Sequence, residues 1–194
     1  MEKIPIRHIN AAQKEPDFSE NFSIREIHGL LAGKDMTQEL HRHDFFYILA
    51  LKKGAGNHDI DFTAYTICDN SVFFMRPGQV HRLVLKAGST GYLMQFRDKF
   101  YLPHDRASSQ LLRKASDIDH YQLSADGLQK MLAILAYIFR EYTDKQDRYQ
   151  EVIKANMGIL FIELVRQHSG YSPDNVKLYM QEQLAQCNHK GSAG

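Results

Sequence analysis

HRHDFFYILALKKGAGNHDIDFTAYTICDNSVFFMRPGQVHRL, residues 41–83, decides the fold. Short apolar runs alternate with turn residues. Lys53-Gly54-Ala55-Gly56 is one turn signal and Asp69-Asn70 another, since Asn and Asp tolerate left-handed backbone. Pro77-Gly78 is a third. Strands this short, at regular spacing with turn residues between, predict a barrel or sandwich. Residues 38–54 read as two strands or one bent strand, 57–68 as a hairpin element, and 71–85 as two strands split at Pro77-Gly78.

Outward from this block, FSIREIHGLLA (22–32) predicts a strand, and so does TGYLMQFR (90–97). Residues 1–21 are polar, carry Pro5 and Pro16, and read as an extended arm. The chain changes character near Ser124. Leu128, Met131, Leu132, Leu135, Ile138, Phe139 and Tyr142 recur at intervals of three and four, and Ile153, Met157, Leu160, Phe161, Leu164 and Val165 do the same. Each set is one face of an amphipathic helix. Thr143, Asp144 and Lys145 between them predict an antiparallel hairpin. Ser172, Pro173 and Asp174 signal a third helix start, running to about Ala185. Lys190 to Gly194 reads as a tail.

Two motifs bear on chemistry. His41 and His43 lie two apart, so on a strand both rings share a face. His81 follows Pro77-Gly78 and enters from a neighbouring strand. Three converging imidazoles suit zinc, iron, manganese or copper. Alternation from His41 adds Phe45, Tyr47, Leu49 and Leu51 to that face. The opposite face, with Phe46, Ile48 and Ala50, is also apolar, so both faces of this strand need cover. The same alternation offers His58, Ile60 and Phe62, and Tyr92, Met94 and Phe96, to the lumen.

The ordered string HRHDF, a glycine turn, IDF, FFxxPGQVH and GYxxxF resembles the N-terminal effector-binding domain of AraC-type transcription regulators, from about Phe22 to about His168. The resemblance implies a mainly β, α+β fold: a cupin-type antiparallel β-barrel (double-stranded β-helix) followed by an antiparallel helix hairpin. The division expected is an arm at 1–21, an effector-binding barrel at 22–123, a dimerising hairpin at 124–170, and a linker or terminal helix at 171–194. In the family two helix-turn-helix units follow the hairpin. The residues after Gly170 are too few for a further domain of about 50, so the DNA-binding half is expected to be absent. Metal-binding cupins place a glutamate four residues after the second histidine. Here that position is Tyr47, and a neutral phenol is a poor ligand for a divalent ion.

The resulting expectations are specific. His41, His43, Phe45, Tyr47, His58, His81, Tyr92 and Met94 are candidate contacts for a small organic effector. His41, His43 and His81 are candidate metal ligands in a second reading, a metal-dependent cupin dioxygenase or isomerase. That lost carboxylate favours a sensor over an enzyme, so no catalytic residue and no resident cofactor is assigned. A free-standing binding module that never had a DNA-binding half is a third reading. Apolar residues beyond the main helical stripes, Ile134, Tyr137, Ile159 and Ile162, predict a homodimer.

Composition narrows the remaining classes. With 24 Lys plus Arg against 23 Asp plus Glu, and only Lys52-Lys53 as a basic cluster, nucleic-acid binding by this chain alone is disfavoured. No Gly-x-Ser-x-Gly elbow, phosphate loop or dinucleotide fingerprint is present. Asp59 and Asp61 form a carboxylate pair better read as solvated hairpin residues. Cys68 and Cys187 fit neither a disulfide framework nor a zinc spacing and are expected as free thiols. No secretory layout opens the chain and no apolar run is long enough for a membrane span, so a cytoplasmic protein is expected.

Overall fold

The computed structural model describes residues 4–9, 20–101 and 106–169. In chain order the elements are β1 (Ile6–Arg7), β2 (Phe22–Glu26), α1 (Ile27–Leu31), β3 (Met36–His43), β4 (Phe46–Lys53), β5 (Gly56–Ile60), β6 (Thr63–Ile67), β7 (Ser71–Met75), β8 (Val80–Leu85) and β9 (Thr90–Phe96). Then come α2 (Asp98–Tyr101), α3 (Arg106–Ser116), β10 (His120–Gln122), α4 (Ala125–Asp144) and α5 (Tyr149–Ser169).

The strands form two five-stranded sheets, ordered β1-β3-β8-β5-β6 and β10-β7-β4-β9-β2. All pairings are antiparallel except that of β1 with β3. From β2 to β9 the chain alternates between the sheets at every step except the β5–β6 hairpin, which gives the β-rich, cupin-type architecture that the resemblance implies.

Alternation along β4 and β7 explains why both strands are almost wholly apolar. Tyr47, Leu49, Leu51, Phe73 and Met75 point between the sheets and join Ile60, Leu83, Leu85 and Leu93 in an inner core. Ile48, Ala50, Val72 and Phe74 point the other way, into an outer core with Met94 and Phe96. The helices cover that outer face. Leu128, Met131, Leu135 and Ile138 of α4 and Ile153, Met157, Leu160, Phe161 and Leu164 of α5 are all buried there. A sheet covered on both faces reads as continuous hydrophobic strands.

Local chemistry sets the ends of the elements. Ser124 caps α4, its hydroxyl accepting from the Gly127 amide at 3.1 Å. Lys145, at φ 48°, ends it. Asn70 takes φ 63° between β6 and β7, and Gly78 takes φ 90° between β7 and β8. Gly56 is required for packing: a Cβ there would lie 1.9 Å from the Val84 carbonyl oxygen, at φ +134°.

Several expectations are corrected. The segment 22–32 is a strand only to Glu26; Ile27 and Leu31, four apart, then bury one face of the short α1. The first hairpin helix runs through Thr143 and Asp144, so the connection begins at Lys145. Residues 98–123, given no elements by the sequence, hold α2, α3 and β10. Cys68 is disulfide-bonded rather than free, and Cys187 lies outside the described residues. Spacing along a chain does not report spatial approach, which is what a disulfide needs. The expected third helix after Ser172, the tail and most of the arm also lie outside the described residues. Among the described residues, no helix is long and apolar enough to cross a membrane.

Candidate functional site

The site begins with a β-bulge. β3 pairs with β8 as Gln38↔Leu83 and then His41↔His81, so β3 spends one extra residue over that interval. A bulge re-aims side chains and frees a backbone group from the ladder. Here the Glu39 carbonyl accepts a hydrogen bond from His41 Nδ1 at 2.6 Å. That bond puts the proton of a neutral His41 on Nδ1 and leaves Nε2 with its lone pair.

His41 Nε2 lies 3.0 Å from His81 Nε2, and His43 Nε2 lies 2.8 Å from the same atom. The three rings come from adjacent strands and are all buried. On its far side, His81 Nδ1 is 2.8 Å from His58 Nε2. His58 comes from β5, the other neighbour of β8. The sequence-predicted histidines therefore form one continuous cluster.

Burial keeps these rings neutral. It is the first cause of the lowered pKa of His41 and His81, and it takes His43 and His58 to about 3. Mutual repulsion among the rings adds to the effect at His43, His58 and His81. So does the Arg7 guanidinium of β1, which acts on His41, His43 and His81. Neutral imidazole is the form that ligates a metal or accepts a hydrogen bond.

Aromatic rings extend the cluster. Tyr47 stacks on His43, with centroids 5.4 Å apart and planes 7° apart. Phe45 lies 4.3 Å from His43 on the same measure. His58 packs edge-on against Phe73, and His120 stacks on the same ring at 4.6 Å. Tyr65 borders His120. Among these rings His43 Nδ1, Tyr47 Oη, His58 Nδ1 and His120 Nε2 are buried with no hydrogen-bond partner. Each such group costs about 1–3 kcal/mol when left unmade.

His41, His43, Phe45, Tyr47, His58 and His81 thus stand where alternation predicts, on the inner side. Tyr92 and Met94 do not. On β9 they pair with Ala50 and Ile48, and directly opposed residues share a face. Met94 is buried in the outer core, and Tyr92 packs against Phe139 of α4. The true inward residue is Leu93. β9 is apolar at consecutive positions, so its parity was ambiguous. Phe62, also expected in the lumen, is 83% exposed at the β5–β6 turn. Asp59 pairs with Arg82 at 2.6 Å, and Asp61 binds Gln79 and the Val80 amide, so both are structural. His120, Tyr65, Phe73 and Arg7 were missed. The alternation of Tyr121 and Leu123 was the available signal for β10.

His81 Nε2 lies 3.0 and 2.8 Å from the other two Nε2 atoms, separations at which one imidazole donates a hydrogen bond to another. Among the described residues this is the group whose ligand atoms converge for a metal, within 4.8 Å of one another.

No curated protein matches the chain. Among solved structures, the AraC-like transcriptional activator CuxR is similar at 11% identity and a TM-score of 0.43, over 61% of this chain and 42% of that one. A cupin protein from Bacteroides fragilis is similar at 17% identity and a TM-score of 0.29, over 43% of this chain and 83% of that one. The chain thus spans less than half the length of the activator it resembles. The AraC-like ligand binding domain family matches residues 29–149, well over half of the sequence, and the chain belongs to that family.

Proposed function

We propose that this chain is the effector-sensing and dimerising part of an AraC-type transcription regulator. A small molecule binds between the two sheets, against His43, Phe45, Tyr47, His58 and His81, and controls DNA binding by a helix-turn-helix domain outside this chain. The observation that carries the reading is the set of four buried, unpaired polar atoms among inner-face aromatic rings. Pockets for small organic molecules combine apolar walls with a few such groups. Membership of a ligand-binding family supports binding over catalysis.

The arm supplies a route for the signal. Ile6 and Arg7 pair in parallel with Arg42 and His43, and the Pro5 carbonyl accepts from the Arg42 amide at 3.0 Å. Ile9 is buried in the inner core. A ligand that touches His43 therefore touches the strand that holds the arm. It shifts the arm only through different affinities for the two arm positions.

Dimerisation through α4 and α5 rests on Tyr137, Ile159 and Ile162, which are 43, 49 and 40% exposed on the hairpin. The test is a metabolite screen by thermal shift, followed by sedimentation of the hits. A compound that raises Tm and changes the monomer–dimer balance supports the reading. Monomer alone at micromolar concentration, with no stabilising compound, overturns it.

A further inference from the structure

One backbone bond sets the proton positions along the buried histidines. His41 Nδ1–H donates to the Glu39 carbonyl, so His41 Nε2 is bare. His81 Nε2 lies 3.0 Å from that atom and 2.8 Å from His43 Nε2. A bare His81 Nε2 would oppose two lone pairs across 3.0 Å. His81 therefore carries its proton on Nε2 and shares it between His41 and His43. A neutral His81 then has a bare Nδ1, to which His58 Nε2–H donates at 2.8 Å. Both ends of the chain follow. His43, accepting at Nε2, keeps its proton on Nδ1. His58, donating at Nε2, has a bare Nδ1.

These two end nitrogens and Tyr47 Oη are buried and without a partner. Each now has a defined polarity: His43 Nδ1–H donates, His58 Nδ1 accepts, and Tyr47 Oη is a hydroxyl kept protonated because burial raises its pKa. The Tyr47 ring lies 5.4 Å from that of His43 and 6.3 Å from that of His58, so a short molecule reaches all three. Charge marks the His43 end. Arg7 pairs with His43, which puts both side chains on one side of the sheet. Its guanidinium acts on His41, His43 and His81. Among the described residues no ion pair engages it. The neighbouring carboxylate, Asp44, is taken by His8 at 2.8 Å and Arg97 at 3.0 Å. One end thus offers a cation and two donors with no anion to answer them. The other offers a bare acceptor.

Deepening the sensing role and resting on it, we propose that the effector is a small hydroxycarboxylate. Its carboxylate accepts from Arg7, His43 Nδ1–H and Tyr47 Oη–H, and its hydroxyl donates to His58 Nδ1. Charge-assisted hydrogen bonds are the strong ones, so the carboxylate supplies most of the affinity. The hydroxyl supplies specificity, because an analogue lacking it leaves a buried acceptor unmet. Arg7 is exposed on the arm, so the carboxylate lies at the mouth of the site and the hydroxyl inside.

The experiment uses the full chain without a histidine tag, with lactate and γ-hydroxybutyrate as probes. The first carries its hydroxyl beside the carboxylate, the second at the far end. Each is compared with its amide and with its deoxy acid, propionate or butyrate. At a hundredfold excess over Kd one hydroxy acid should raise Tm by roughly 5–10 °C. Its amide and its deoxy acid should each bind about tenfold more weakly. Arg7→Gln and Tyr47→Phe should each weaken binding about tenfold, and Arg7→Lys should recover part of the loss. Lys86→Gln removes an equal charge from an exposed ion pair with Asp35 and should leave affinity within twofold. Nitrogen NMR should find the proton of His43 on Nδ1 and that of His58 on Nε2. Stabilisation by neither hydroxy acid, equal binding of acid and amide, or equal binding by Arg7→Gln overturns the proposal, as does the opposite tautomer at His58. A neutral metabolite that shifts the dimer equally in wild type and Arg7→Gln would remove the carboxylate yet leave effector sensing standing. Hydroxy-acid binding that depends on Arg7, with no change in arm or dimer, would do the reverse.

Discussion

His58 Nε2 and His81 Nδ1, 2.8 Å apart, link two buried rings on neighbouring strands. The pair sets which nitrogen of His81 faces His41 and His43. His58→Phe keeps the ring and its packing on Phe73 but removes the partner of His81 Nδ1. A buried donor or acceptor left unpaired costs about 1–3 kcal/mol. Urea unfolding should show that loss in the midpoint with an unchanged slope. Ligand affinity should fall too, because the His81 tautomer is no longer fixed. An unaltered midpoint would mean that the His58–His81 bond does not form.

Acid should destabilise the protein through its buried histidines before its carboxylates titrate. The pKa of His43 and His58 is lowered to about 3, and that of His120 to about 4, with burial the first cause at all three. In the unfolded chain each ring takes a proton near 6.5. Between pH 6.5 and about 4 the unfolded state therefore binds more protons than the native state, and stability falls as pH falls. Each ring contributes up to about 1.4 kcal/mol per pH unit in that window. His120→Phe preserves a ring against Phe73 and removes one of these protons. Chelator-stripped variant and wild type should show a constant stability difference above pH 7, with the variant losing less below 6.5. Parallel curves down to pH 4 would place His120 in contact with water.

Much of this site was legible because strand parity is rigid. One anchored pair, His41 and His43, fixed the inward side of β4 through Tyr47, Leu49 and Leu51, since a slip by one residue would turn every side chain over. The same rule failed on β9, where Tyr92, Leu93 and Met94 are all apolar and only pairing with β4 decides which of them points in. The bulge before His41 was not legible, because it depends on the register against β8. Nor was the role of Arg7, whose position follows from a two-residue strand set against β3 by tertiary contact. Helix periodicity carried α4 and α5 well because their apolar stripes meet one large sheet face. α3 is mostly polar, burying only Leu112, Ala115 and Ser116, and left little pattern to read.

Glycines 56 and 78 both have positive φ, yet substitution should separate them widely. At Gly78 an added Cβ meets nothing within 4 Å, so Gly78→Ala bears only the backbone conformation, about 1 kcal/mol. At Gly56 the Cβ would meet the Val84 carbonyl at 1.9 Å, on the strand that carries His81. Gly56→Ala must push β5 off β8. We expect a loss of more than about 3 kcal/mol, or insoluble protein, against a Tm change of a few degrees for Gly78→Ala. Similar Tm values for the two variants would mean that β5 and β8 separate without penalty.

Phe62 tests a different kind of strain. It sits at φ 66° after Asp61 at φ 45°, so the β5–β6 hairpin turns through two left-handed residues. That geometry matches the twist of paired strands but suits Asn and Gly, not a bulky aromatic. Its ring is 83% exposed and recovers little by packing. Phe62→Asn keeps an ordinary unfolded-state entropy and tolerates the left-handed backbone. It should raise stability by about 0.5–1 kcal/mol, read as a higher urea midpoint with an unchanged slope. The Asp61 bonds to Gln79 and the Val80 amide, which anchor the other side of the turn, should be retained. A stability loss of similar size would mean that the Phe62 ring is covered in solution, and a paired measurement of sedimentation at two concentrations would then show whether a second copy of the chain covers it.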